Sequence, residues 1–185
     1  MGVAALSREG RRAVLLDRDG VLNRAYLEDG VTRPPRSLAE LEVLPGVEGA
    51  VRRLAAAGFA LVGVSNQPDV ARGTQTRAGV EELNAALVER LGLLAILACY
   101  HDTPDGCACR KPRPGLLHEA ALRFDLDLGR SFMVGDRWSD VLAGQAAGCR
   151  AILIDTPHGG AEQCAPDARA ADLATAVELI LAWRD

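Results

Sequence analysis

Residues 13–20 read Ala13-Val14-Leu15-Leu16-Asp17-Arg18-Asp19-Gly20, an apolar run that stops abruptly at two carboxylates and a glycine. Four apolar residues in a row, with no polar alternation, are what a strand buried on both faces of a parallel sheet needs. The same pattern recurs along the chain: 59–64 ends at Ser65, 95–98 at Cys99, 132–134 at Gly135-Asp136 and 151–154 at Asp155. Between these runs the residue pattern predicts helices over roughly 47–57, 77–91, 114–124, 138–147 and 170–183. Strand and helix in alternation imply an α/β fold, a doubly wound parallel sheet covered on both sides. No repeat, linker or low-complexity tract interrupts it. A chain of 185 residues, 49% hydrophobic, suits one core, so a single domain over 1–185 is expected.

Composition narrows the function classes. A net charge of −4 disfavours a nucleic-acid coat, which needs a basic stripe, although a small basic pocket is compatible with it. No apolar run approaches the roughly 18 residues of a membrane span. The start, MGVAALSREGRR, carries arginine after its apolar stretch, the reverse of a signal peptide, and Leu6 stands where a myristoylation signal has Ser or Thr. A cytoplasmic protein with no membrane or nucleic-acid partner is expected, and a monomer.

In open α/β sheets ligands bind beyond the carboxyl ends of the strands. Those ends carry Asp17-Arg18-Asp19-Gly20, Ser65-Asn66-Gln67 and Gly135-Asp136 with Asp140 following, and Arg110-Lys111-Pro112 lies between the third and fourth runs. Two carboxylates two residues apart can act separately, one as nucleophile and one as proton donor and acceptor, if the chain turns between them. Alone, such a string is an ordinary turn. A phosphoryl group in transfer needs a divalent cation, a cationic side chain and hydrogen-bond donors. Asp17, Asp136 and a main-chain carbonyl near Asp19 can hold Mg2+, Lys111 supplies the charge, and Ser65 with the Asn66 amide supplies donors. Taken singly, Ser65-Asn66 could cap a helix and Lys111 could be a solvated lysine. Four such elements at one sheet edge with complementary chemistry point to catalysis.

Cys99, His101, Cys107 and Cys109 form the pattern C-x-H-x5-C-x-C. Three thiolates and one imidazole make a closed tetrahedral Zn2+ shell with no open position, hence a structural site, against the alternative of a chance cluster of surface cysteines. Arg110 and Lys111 follow the last ligand directly, so zinc would fix the loop that delivers Lys111. His118 is expected on a helix face, His158 in a loop, and Cys149 as a small buried residue.

LLDRDGVLN (15–23), SNQPDVARG (65–73), CRKPRPGLL (109–117) and MVGDRWSDVLAG (133–144) resemble the four motifs of the haloacid dehalogenase superfamily. More narrowly they are similar to the subgroup of D-glycero-D-manno-heptose 1,7-bisphosphate and histidinol-phosphate phosphatases, over about residues 13–155. The resemblance implies a Rossmann-like sheet and a two-step reaction. Asp17 would attack phosphorus; Asp19 would protonate the leaving oxygen and later activate water. Ser65, Asn66 and Lys111 would bind phosphate, Asp136 would complete the magnesium site, and Asp140 would orient Lys111 or a metal-bound water. Gln67, Arg110 and Arg137 match positions near the substrate. Relatives commonly read T-N-Q-S-G-I where this chain has Ser65-Asn66-Gln67-Pro68-Asp69-Val70, a departure that bears on the sugar rather than the chemistry.

About 45 residues separate Asp19 from Ser65, and a helix must fit among them, so no separate cap domain is expected. Substrate choice would rest on the loops 23–37 and 100–110. The resemblance implies a small phosphorylated sugar, first a heptose 1,7-bisphosphate hydrolysed at the 7-position. Histidinol phosphate and, less well, a nucleic-acid 3′-phosphate are rival substrates; a zinc-stabilised module without activity is the rival of another class.

Overall fold

The computed structural model describes residues 10–183; the reading over 1–9 and the outermost ends of the expected 1–185 domain lie outside those residues. The strands are β1 Ala13–Leu16, β2 Tyr26–Glu28, β3 Val31–Arg33, β4 Ala60–Asn66, β5 Ala95–Cys99, β6 Phe132–Gly135, β7 Arg150–Ile154 and β8 Ala168–Ala170. The helices are α1 Val47–Ala56, α2 Arg77–Leu91, α3 Gly115–Phe124, α4 Trp138–Ala146 and α5 Leu173–Ala182. Six strands form one sheet in the order β5-β4-β1-β6-β7-β8, every pair parallel.

The central strand explains why the apolar runs do not alternate with polar residues. All four side chains of β1 are fully buried, but they face opposite ways. Val14 and Leu16 join a core cluster with Val51 of α1, Leu87 of α2 and Val177 of α5. Ala13 and Leu15 join a second cluster with Leu117 of α3 and Ala143 of α4. Both faces are therefore covered, as the uninterrupted runs require.

Two elements depart from the sequence reading. Residues 168–170 form the edge strand β8, for which no strand was expected, and the last helix, expected from 170, begins at Leu173 after Asp172 caps it by accepting from Thr175 N. Ala-Arg-Ala has no apolar run, because an edge strand is buried less completely than a central one. The loop over 23–37 contains the hairpin β2–β3, turned through Asp29 (φ 51°) and Gly30 (φ 78°). Positive φ at both positions is the type I′ turn that suits two twisted strands, and Asp-Gly is its usual sequence. His118 is exposed on α3, His158 is exposed in a loop, and Cys149 is buried, as expected.

Truncating Leu15 to alanine removes a fully buried side chain at the centre of the sheet and is expected to cost about 2–5 kcal/mol. Urea unfolding should show a lowered midpoint at unchanged slope. A loss under about 0.5 kcal/mol, the range of surface changes, would contradict the central position of β1.

Candidate active site

Parallel pairing brings the carboxyl ends of β1, β4 and β6 to one edge. The chain runs from β1 outward to β4 and β5, then returns to the other side of β1 as β6, so the topological switch lies between β1 and β6. Asp17 follows one of these strands and Asp136 the other. Carboxylate oxygens of Asp17, Asp136 and Asp140 all lie within 4.8 Å of one another, and all three residues are buried. Two glycines make room for them. A Cβ on Gly20, itself at φ 93°, would lie 2.4 Å from Asp136 Oδ2, and one on Gly135 would lie 2.2 Å from Asp140 Cβ.

Lys111 sits among these acids, only 3% exposed. Its ammonium donates to Asp17 Oδ1 and to the Val64 carbonyl at 2.7 Å each, and lies 2.7 Å from Asp140 Oδ1. An ammonium has three protons, so each has an acceptor. The Asn66 amide fixes the loop behind it: Nδ2 donates to the Lys111 carbonyl at 3.0 Å, and Lys111 N donates to Asn66 Oδ1 at 3.1 Å. The Asn66 side chain thus orients Lys111 with its oxygen and one of its two N–H donors, and Asn66 also lines the cavity. Ser65 is buried and lines the cavity; its Oγ accepts from Gln67 Nε2 at 2.8 Å, which leaves the hydroxyl proton to donate.

Electrostatics mark a cation site. Burial first, then the charges of Asp17 and Asp140, push Asp136 up to about 8. Burial pushes Asp17 up to about 6 against the pull of Lys111. Lys111 is held well above the usual lysine range, its burial outweighed by Asp140 and Asp17. Asp136 Oδ1 is buried with no hydrogen-bond partner. An orphaned carboxylate oxygen beside two more carboxylates fits a hard divalent cation such as Mg2+.

The Asp19 carboxylate does not join that cluster. Arg18 Nε and Nη2 fork onto it at 2.9–3.2 Å, Asn23 Nδ2 donates to it at 2.9 Å and Gln67 Nε2 at 2.7 Å. Only its main-chain carbonyl is left for the magnesium role expected of this residue. Gln67 needs correction as well. It is 1% exposed and lies behind the cavity wall, bonding Asp19 and Ser65 rather than facing a ligand. Arg18, Asn23 and Asn84, which bonds Arg18, were not anticipated. The available signal was Asn84, a polar residue among Val80, Leu83 and Leu87 on the buried face of α2.

Asp17, Asp19, Ser65, Lys111 and Asp140 line a cavity of about 820 Å3. Its outer wall carries Arg33, Arg36, Arg72, Arg110, Arg113 and Arg137. Glu28, Asp69 and Asp102 are the acids among them, and Asp102 grips Arg72 at 2.6 and 2.9 Å. Arg110 Nη1 donates to the His101 carbonyl at 3.3 Å, while Arg137 reaches Thr32 of the hairpin. Arg137 N also donates to Asp140 Oδ2 at 3.0 Å, tying that acid to the start of α4.

Beside the cavity, Cys99, His101, Cys107 and Cys109 converge. Cys109 Sγ lies 3.2 Å from Cys99 Sγ, 3.4 Å from Cys107 Sγ and 3.4 Å from His101 Nδ1; Cys99 Sγ lies 3.6 Å from both Cys107 Sγ and His101 Nδ1. Ligands of a tetrahedral zinc stand about 3.5–3.8 Å apart, whereas disulfide sulfurs stand about 2.05 Å apart. The set therefore fits Zn2+. Burial and the neighbouring sulfurs push the Cys109 thiol up to about 12, so metal binding would have to expel protons from this cluster.

The acidic cluster gives a testable linkage. With Asp136 pushed up to about 8, this carboxyl is mostly protonated at pH 7 until a cation binds. Calorimetric titration with Mg2+ at pH 7 should release roughly one proton per ion, seen as heats that change with the ionisation enthalpy of the buffer. Its raised value also means stability that is fully present below about pH 4 and is lost as the pH rises through about 8 in metal-free protein. Buffer-independent heats would contradict this account of Asp136.

Comparison with known proteins agrees with this geometry. A family model described as "HAD-hyrolase-like" matches residues 108–178. A D-glycero-beta-D-manno-heptose-1,7-bisphosphate 7-phosphatase of Bordetella bronchiseptica is 38% identical over 153 residues, covering 80% of this chain and 83% of that protein. A D-glycero-D-manno-heptose-1,7-bisphosphate 7-phosphatase of Thermosynechococcus vestitus is 40% identical over 193 residues, covering 92% and 95%. The crystal structure of D,D-heptose 1,7-bisphosphate phosphatase from B. bronchiseptica, complexed with magnesium and phosphate, superimposes with a TM-score of 0.79 at 36% identity, over 92% of this chain and 98% of that one. The chain belongs to the haloacid dehalogenase superfamily, among its phosphatases.

Proposed function

We propose that this phosphatase removes the 7-phosphate of a D-glycero-D-manno-heptose 1,7-bisphosphate. The observation that carries the reading is the cavity itself, lined by the buried Asp17 with Asp19 and by six arginines, of which Arg36, Arg72, Arg113 and Arg137 are exposed. A bisphosphate has one phosphate for each end. Histidinol phosphate presents an amine and an imidazole to that wall, a poor match for arginine. Relatives named for the heptose substrate add weight.

In this reading an Asp17 oxygen attacks phosphorus and forms an aspartyl phosphate, while Asp19 gives a proton to the departing sugar oxygen. Asp19 then takes a proton from water, which attacks phosphorus and frees Asp17. Lys111 and the Ser65 hydroxyl hold the phosphoryl oxygens, and Asp140 holds Lys111 in place. Asp17, Asp136 and the Asp19 carbonyl would hold Mg2+, which when bound offsets the repulsion between Asp17 and an anionic phosphate. Arg110 and Arg137 on the wall would meet the far end of the substrate. Cys99, His101, Cys107 and Cys109 would hold Zn2+ and stiffen the segment that leads to Lys111. We take residues 1–185 as one domain, acting as a monomer in the cytoplasm; no helix among the described residues is long and apolar enough to cross a membrane.

A phosphate-release panel tests the substrate: both anomers of heptose 1,7-bisphosphate, histidinol phosphate and a 3′-phosphorylated oligonucleotide, with Mg2+ and with Asp17→Asn as control. Release from one heptose anomer, abolished in the control, is expected. Faster turnover of histidinol phosphate would overturn the assignment. A Cys107→Ala and Cys109→Ala double variant should lose zinc, read by metal analysis, and lose much of its kcat. A zinc-free variant with full activity would contradict the role given to the cluster.

A further inference from the structure

The side chain that grips Asp19 has no contact with solvent. Arg18 is 0% exposed although it stands between the two carboxylates that line the cavity. Its Nε and Nη2 face both Asp19 oxygens, and its Nη1 donates to Asn84 Oδ1 at 2.8 Å. Asn84 is 6% exposed on α2, where Val80, Leu83 and Leu87 around it are buried. A buried guanidinium is costly unless paired and fully hydrogen-bonded, and an amide among leucines costs too. Apolar residues at 18 and 84 would pack the same space without that cost. The two polar groups therefore point to a task other than stability.

That task follows from the direction of the bonds. Each of the two donors lies 2.9–3.2 Å from both oxygens, so the guanidinium edge faces the middle of the Asp19 carboxylate and, with Asn23 and Gln67, holds it in position. Arg18 needs a fixed point of its own, and the Asn84 oxygen, carried by a 15-residue helix, supplies one. We infer that Arg18 and Asn84 are positioning residues for the reaction: Asn84 anchors the Arg18 guanidinium, and Arg18 holds the Asp19 carboxylate at the place from which it exchanges protons with the leaving oxygen and the water. The inference rests on the acid–base role proposed above for Asp19.

The two chemical steps respond differently to a loosened Asp19. In the first, the Asp17–phosphorus bond forms, the bond from phosphorus to the leaving oxygen breaks, and that oxygen takes the Asp19 proton. A sugar alkoxide needs the proton, whereas p-nitrophenolate leaves without it. In the second step, water adds to phosphorus, its proton passes to Asp19 and the Asp17–phosphorus bond breaks; this step needs Asp19 whatever the first substrate was.

Asn84→Ala is therefore expected to lower kcat on the heptose bisphosphate by about ten- to a hundredfold with KM nearly unchanged. On p-nitrophenyl phosphate it should show a burst of nitrophenol close to the enzyme concentration, as phosphorylated Asp17 accumulates. Asn84→Ser, which keeps a polar group too short to reach Arg18, carries the same expectation and serves if the alanine variant folds poorly. Asp19→Asn is measured beside them. A burst with Asp19→Asn but none with either Asn84 variant would overturn the positioning role and leave the reading of Asp19 intact. No burst and no leaving-group dependence with Asp19→Asn would instead overturn the reading of Asp19, and this inference with it. A purely structural Asn84 would lower both steps together and give no burst.

Discussion

The buried ammonium of Lys111 is the interaction on which the arrangement depends. Its three donors go to Asp17, Asp140 and the carbonyl of Val64, which ties together the strand that delivers the first acid, the helix that delivers the last and the strand between β1 and β5. Removing it would leave two buried carboxylates facing each other, a situation far costlier than the loss of a surface ion pair. Even with it, three carboxylates share one ammonium, so two negative charges stay without a counter-charge when all are ionised. The protein meets that excess by keeping Asp136 protonated near neutral pH, its value pushed up by burial. A divalent cation of matching charge would do the same and free the proton. Fold stability and metal affinity are thus set by the same cluster.

Positioning continues outward in two directions. On one side Asn66 clasps the main chain of Lys111, and Gly115, whose Cβ would stand 2.4 Å from the Ala108 carbonyl, lets α3 dock closely against the cysteine loop. On the other, Gln67 bonds both Ser65 and Asp19. Asp19 cannot donate in its ionised form, so the amide nitrogen must face it, and that choice also directs a donor at Ser65. One buried amide thereby aligns a phosphate donor with the acid–base residue.

Most of this could be read in the sequence because it is local. Apolar runs ending in Asp17, Ser65 and Asp136 identify both the buried strands and the edge where they end, since central parallel strands have no polar face. The cysteine cluster is readable because all four of its ligands lie within eleven residues, 99–109. What escaped is tertiary. The bond from Arg18 to Asn84 spans 66 positions, and Asn84 is marked only by its polarity on an apolar helix face. Gln67 stands next to a phosphate-binding pair in sequence, yet the strand end turns it inward. Strand β8 was hidden because an edge strand of three residues needs no apolar run. The hairpin at 26–33 was there to be found in Asp29-Gly30, but its two strands have only three residues each, none fully buried, and carry a weak strand pattern.

The central claim is that Asp17 is the nucleophile of a two-step transfer. Acid quenching during the first turnover of a bisphosphate substrate, followed by peptide mapping, measures it directly. The account predicts a phosphoryl group on the peptide containing Asp17, absent in Asp17→Asn and longer-lived in Asp19→Asn. Turnover with no phosphorylated peptide, or with the group on another residue, would contradict it.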